Sequence, residues 1–214
     1  EFDKFKIEYS FTKDATPAAF EAEIRANTKV IYIETPSNPL LTITDVSAVA
    51  QLAKKKGLVS MIDNTFASPV NQNPIDLGMD IVIHSATKYM GGHSDILAGV
   101  VISSEEKIDT VFQMAKNFGG NLSDYTVWLL ERSLKTMGLR VKAQNENAQL
   151  LAEYLYENDK VARVYYPGLK SHPDHELAKA QMKGFGGMLS FELVDGLDAE
   201  EFQKKLQLIK SSMS

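Results

Sequence analysis

The 214-residue chain has no cysteine, so disulfides and thiolate metal ligands are excluded, which fits a reducing compartment. It has no apolar run near the roughly 20 residues that a bilayer-spanning helix requires. Basic blocks and acidic tails are missing too. With 28 acidic against 23 basic residues the formal charge is −5, which argues against nucleic acid or an anionic membrane as the main partner. There is no internal repeat, low-complexity tract or linker, and no glycine loop followed by Lys-Ser/Thr in nucleotide-binding spacing. What remains is an ordinary globular composition, 44% hydrophobic and 24% charged. The chain opens on Glu1 rather than Met. Its first residues, "EFDKFKIEYSF", alternate like a strand and have none of the features of a signal peptide. Its last, "LQLIKSSMS", stop just after an apolar run. The expectation is a fragment of a longer, cytoplasmic protein.

Three short runs rich in Val and Ile share one design. "KVIYIE" (29–34) runs into "TPSNP", "LVSMID" (58–63) into "NTF", and "DIVIHS" (80–85) into "ATK". None alternates cleanly, so each reads as a strand covered on both faces. Between the first two, Thr44 is a plausible N-cap, Val46, Val49, Ala50 and Ala53 form a helical stripe, and Gly57 closes it. Strand, helix, strand at this spacing implies a parallel α/β sheet. Helices dominate next. Ser103 and Glu106 read as a capping box, a second helix runs from about Ser123 towards Gly138 with Trp128 in the core, and a third covers roughly 140–157. Two strands, "VARVYY" and "GMLSFEL", then flank a helix near 174–182, and Asp198 with Glu201 forms another capping box. The division expected is a large domain over 1–139 and the start of a smaller C-terminal α/β domain over 140–214.

In a parallel α/β sheet, ligands bind outside the carboxyl ends of the strands. Those ends present Glu34 and Asn38, then Asp63, Asn64 and Thr65, then Ser85, Thr87 and Lys88, with Gly91 and Gly92 just behind. Taken singly, each has an ordinary explanation: a lysine after a strand is usually a solvated charge, and "DNT" and "SAT" are common strand-exit material. Together they match the needs of one cofactor. Pyridoxal 5'-phosphate requires a lysine amine for covalent attachment, an acid facing its ring nitrogen, and hydroxyl and amide donors for its phosphate. Lys88 suits the first, Asp63 the second, Ser85 and Thr87 the third, and Asn38 can donate to the phenolic oxygen. His172 and His175, in "HPDH", have spacing that two metal ligands can share, but Pro173 between them suggests a turn; no metal is expected.

"ETPSNP", "DNTFASP" and "SATKYMGGHSD" resemble segments of the Cys/Met-metabolism family of pyridoxal-phosphate enzymes, as do "RSLKTMGLR", "YYPGLKSHPDHELAKAQM" and "GFGGMLSFEL" further on. The resemblance runs through essentially the whole chain. It implies the fold-type-I transferase architecture, Lys88 as the catalytic residue that carries the cofactor, and Asp63, Ser85, Thr87 and Asn38 as further cofactor ligands. It also places Ser214 and Met213, beside the strand-end Glu34, near the substrate. The activity implied is transsulfuration, forming or cleaving the C–S bond of cystathionine by β/γ-elimination or γ-replacement. Methionine γ-lyase and O-acetylhomoserine sulfhydrylase are the alternatives within the family, and an aminotransferase or a non-catalytic binding module the alternatives outside it. A sulfur amino acid would be the substrate, and the family suggests a homo-oligomer, a dimer of dimers.

Overall fold

The computed structural model describes residues 2–209. The three β-branched runs form Val30–Glu34 (β1), Val59–Asp63 (β2) and Ile81–Ser85 (β3). They pair in parallel with Glu34 opposite Asp63 and Asp63 opposite Ile83. A fourth strand, Gly99–Ile102 (β4), joins the free edge of β3 antiparallel, giving the order β1-β2-β3-β4. Sequence reasoning missed β4, because its short Val100-Val101-Ile102 run is wedged between a glycine-rich turn and a helix start. The strand-like alternation of the first residues does not form a strand: Phe2–Phe5 is a single 3-10 turn, and no strand precedes β1 among the described residues. A short helix, Pro17–Ala22 (α1), comes between them.

Val46–Lys56 (α2) connects β1 to β2. Its N-cap is Asp45 rather than Thr44, with the carboxylate accepting from the Ala48 N–H at 2.9 Å. Thr44 is buried instead, its N–H donated to Thr35 Oγ1 and its carbonyl accepting from Gln181. Gly57 ends the helix at φ 67°, a conformation glycine adopts without a Cβ penalty. Val46, Val49, Ala50, Leu52 and Ala53 pack onto Ile31, Ile33, Ile62 and Val82, and this is the main core. Only that face of the sheet is fully buried among the described residues; the alternate positions of β2 and β3 are half-buried. On the other, Val30 is 44% and Tyr32 52% exposed, unlike the two-sided burial expected for these strands.

After β2 comes a four-residue helix, Ser68–Asn71 (α3), and after β4 the helix Glu105–Phe118 (α4). Ser104, not Ser103, stands at the α4 N-cap; the Ser103 hydroxyl donates to the Asp80 carbonyl at 2.6 Å, tying the end of β4 to the loop before β3. Asp124–Leu134 (α5) and Met137–Tyr156 (α6) follow, separated at Lys135–Thr136, so Gly138 lies in the first turn of α6 rather than ending α5. Trp128 is 53% exposed and stacks on Tyr125 at a centroid distance of 6.0 Å, so it is not a core residue within this chain.

The remaining elements are Val161–Tyr165 (β5), His175–Gln181 (α7), Ser190–Leu193 (β6) and Ala199–Lys205 (α8). β5 and β6 form an antiparallel pair, and Ala148, Ala152 and Leu155 of α6 pack with Val164, Tyr166 and Leu169 into a second core. Asp198 caps α8 as expected, accepting from the Glu201 N–H at 2.8 Å.

Candidate active site

The parallel register decides which strand-end side chains share a face. Glu34 and Asp63 are direct partners, Asp63 partners Ile83, and Ser85 lies two residues further along β3. In all three strands the buried positions alternate with these residues. Glu34, Asp63 and Ser85 therefore stand on the sheet face opposite α2, at the carboxyl edge.

Local hydrogen bonds fix that edge. Asp63 Oδ1 accepts from the Thr65 N–H at 2.9 Å, and Thr65 Oγ1 accepts from the Ser85 N–H at 2.7 Å. One hydroxyl thus joins the exits of β2 and β3. Asn64 points elsewhere: its amide exchanges bonds with Gln72, which accepts from Gln181 of α7 at 3.1 Å. This buried amide chain ties the C-terminal unit to the strand exits.

Burial pushes the Glu34 carboxyl above its usual range; the Asn38 N–H, donated to Glu34 Oε1 at 3.2 Å, opposes this, and the negative charge of Asp63 adds to it. The Tyr32 phenol is raised by burial and then by the same two carboxylates. Buried His84, on the α2 side of β3, has its pKa lowered to about 4 by loss of solvent, which Asp63 only partly offsets.

Lys88, half-buried, follows β3 in a tight turn. Its N–H is donated to Ser85 O, Ala86 O accepts from the Gly91 N–H at 2.7 Å, and Lys88 O accepts from the Gly92 N–H at 2.7 Å. A Cβ on Gly91 would stand 2.8 Å from Ala86 O. Gly92 has φ +70°, and a Cβ there would stand 1.9 Å from Nη1 of Arg140. The glycines behind the lysine are explained by these close approaches. The Thr87 hydroxyl is engaged with Ala98, accepting its N–H at 3.2 Å and donating to its carbonyl at 3.4 Å. Asn38 is exposed. Met213 and Ser214 lie outside the described residues.

The edge thus carries an amine, two carboxylates, hydroxyls and an amide on consecutive strand exits, a donor set that fits a cofactor needing covalent attachment and a ring-facing acid. Sequence reasoning did not find Tyr89, whose hydroxyl accepts from the Gly187 N–H at 3.0 Å, or the contacts of Arg140, described below. The Tyr89–Gly187 bond and the bonds of Arg140 to Tyr89 and Met90 join residues dozens of positions apart and use main-chain groups, so no local pattern marks them. The two histidines of "HPDH" serve the backbone: His172 Nδ1 accepts from the Asp174 N–H and His175 Nδ1 donates to Pro167 O. A cavity of about 410 Å³ lies away from the lysine, between Thr16, Asp45, Tyr165 and Asp174, and none of the strand-end residues lines it.

Cystathionine gamma-lyase of Bacillus subtilis is 45% identical over 207 residues, which is 96% of this chain and 55% of that protein. Cystathionine beta-lyase of Lactococcus lactis subsp. cremoris is 47% identical over 194 residues, 90% of this chain and 50% of that one. The crystal structure of cystathionine gamma-lyase from Lactobacillus plantarum, complexed with L-serine, superposes with a TM-score of 0.97 at 43% identity, covering 100% of this chain and 56% of that one. The chain spans about half the length of the curated relatives it matches. The family model described as Cys/Met metabolism PLP-dependent enzyme matches residues 1–214, and the chain belongs to that family.

Proposed function

We propose that the whole protein makes or breaks a carbon–sulfur bond in a cystathionine-type amino acid, as a lyase or synthase of transsulfuration. The observation that carries this reading is the placement of Asp63 and Lys88 at the exits of adjacent parallel strands, joined through Thr65 and Ser85. Pyridoxal phosphate, when bound, withdraws electron density from the α-carbon of the amino acid attached to it.

The protein's own groups have distinct tasks. Lys88 Nζ would hold the cofactor covalently, and as a free amine it would be the base that takes the Cα proton. The Asp63 carboxylate, oriented by the Thr65 N–H, would hold a proton on the ring nitrogen. Ser85 and Thr87 would donate to the phosphate, the Thr87 hydroxyl giving up its bonds to Ala98. Asn38, its main chain tied to Glu34, would donate to the phenolic oxygen. The family resemblance assigns Met213 and Ser214, which lie outside the described residues, to the substrate side. The reading extends to a sulfur amino acid as substrate, a homo-oligomeric and cytoplasmic protein, and a division into two domains near residue 140.

The test is the visible absorbance of the full-length protein loaded with pyridoxal phosphate, followed by borohydride reduction and peptide mapping. A band that Lys88→Ala abolishes, with reduction fixing the cofactor to Lys88, is the expected result. Attachment to another lysine, or no cofactor binding, overturns the assignment. Product analysis then separates lyase from synthase. Pyruvate or ketobutyrate from cystathionine marks the first, and cystathionine from an activated homoserine plus cysteine the second. Methanethiol from methionine instead favours the methionine γ-lyase alternative.

A further inference from the structure

Arg140, in the first turn of α6, has no carboxylate partner among the described residues; its donors go to main-chain carbonyls and one hydroxyl. Nη1 donates to Tyr89 O at 2.9 Å, Nη2 to Met90 O at 3.4 Å and Ser133 O at 3.0 Å, and Nε to Thr136 Oγ1 at 3.2 Å. Partial burial lowers the affinity of the guanidinium for its proton. Two of the carbonyls it holds belong to the residues directly after Lys88. Their peptide groups lie inside the turn closed by the Gly91 and Gly92 N–H bonds. Gly92 leaves the room that the guanidinium occupies. From the other side, the Tyr89 hydroxyl accepts the Gly187 N–H, so the turn is gripped by α6 and by the loop before β6 at once.

We propose that Arg140 is a positioning residue for Lys88: its planar fork, held by Ser133 and Thr136 at the α5–α6 junction, fixes the carbonyls of Tyr89 and Met90 and so sets where the lysine stands in the site. The proposal rests on the reading of Lys88 as the cofactor's attachment point. A fork is required because the carbonyls of Tyr89 and Ser133 lie on different segments and are bridged by separate nitrogens of one rigid plane. A lysine ammonium at the end of a flexible stem keeps the charge without that geometry.

The experiment compares wild type, Arg140→Ala and Arg140→Lys in the full-length protein, by two readouts besides turnover. The first is hydrogen–deuterium exchange over residues 86–92, which needs no cofactor. Both substitutions should speed exchange of the Gly91 and Gly92 amides by about tenfold while leaving the α2 amides unchanged. The second is circular dichroism in the visible band of the loaded protein, which reports how the cofactor is held. It should fall in both variants, with kcat down about tenfold and KM within about twofold. A lysine variant with wild-type exchange and wild-type visible dichroism overturns the proposal, because charge alone then suffices or the contact is idle. If the alanine variant does not fold, the lysine variant still decides the question by the same readouts. Failure of the Lys88 reading shows separately, as borohydride attachment elsewhere in the wild type, and the exchange measurement still tests whether Arg140 holds the turn.

Discussion

The two faces of the parallel sheet use the same strands for opposite ends. On the α2 side, Ile31, Ile33, Ile62 and Val82 are buried against a helical stripe and carry the free energy of folding. On the other side the alternate positions include Tyr32, Glu34, Asp63 and Ser85, which stand open or half-buried and supply the polar edge of the candidate site. The strands that anchor the core also set the spacing of the site, because successive residues of one strand point to opposite faces. A substitution on one face should therefore cost stability, and on the other should cost function.

The largest expected effect breaks that contrast directly. Ile62 is fully buried, so Ile62→Ala should cost about 3 kcal/mol in urea unfolding of the 214-residue chain, whereas Tyr32→Ala should cost less than about 1 kcal/mol. Equal costs would mean that the open face is also packed in solution. Next in size is a pH effect from the covered face. Unfolded chain protonates His84 near pH 6.5, but in the folded protein the ring stays neutral until about pH 4. Between those values the unfolded state binds more protons, so stability falls as the pH drops through that window, by up to about 1.4 kcal/mol per unit. A His84→Gln variant should flatten that part of the thermal-melting profile; an unchanged slope would assign the acid sensitivity to other groups. The smallest effect concerns the helix that does the covering. Asp45→Ala removes the α2 N-cap and should cost about 1 kcal/mol by the same unfolding measurement, with cofactor binding in the full-length protein retained.

The covered face was largely legible in the sequence, because burial leaves apolar runs and helix ends leave caps. β1, β2, β3, α2 and Gly57 were all marked in this way. The N-cap shifted by one residue from Thr44 to Asp45 because the threonine was drawn into tertiary bonds, with Thr35 and Gln181, that no local pattern encodes. Trp128 shows a further limit. Periodicity tells which side of a helix is apolar, not whether anything packs there, and the ring is half-exposed in this chain. At the site, the residue types and their order along the chain were readable, and so was the edge on which they gather. What was hidden is the bracing. Thr65 looked like strand-exit filler, yet its hydroxyl joins β2 to β3. Arg140 reaches carbonyls 50 and 51 residues away, and every residue has a carbonyl.

The approach of Arg140 to Gly92 also constrains sequence change unequally at the two positions. A side chain at residue 92 and the forked arginine at residue 140 cannot coexist in this geometry, since the added carbon would stand 1.9 Å from the guanidinium. A side chain at residue 92 therefore forces the flexible tip of the arginine aside, whereas replacing the arginine creates no clash with the glycine. The positive φ at residue 92 adds strain to any side chain placed there, so drift is open at the arginine end of the contact and restricted at the glycine end.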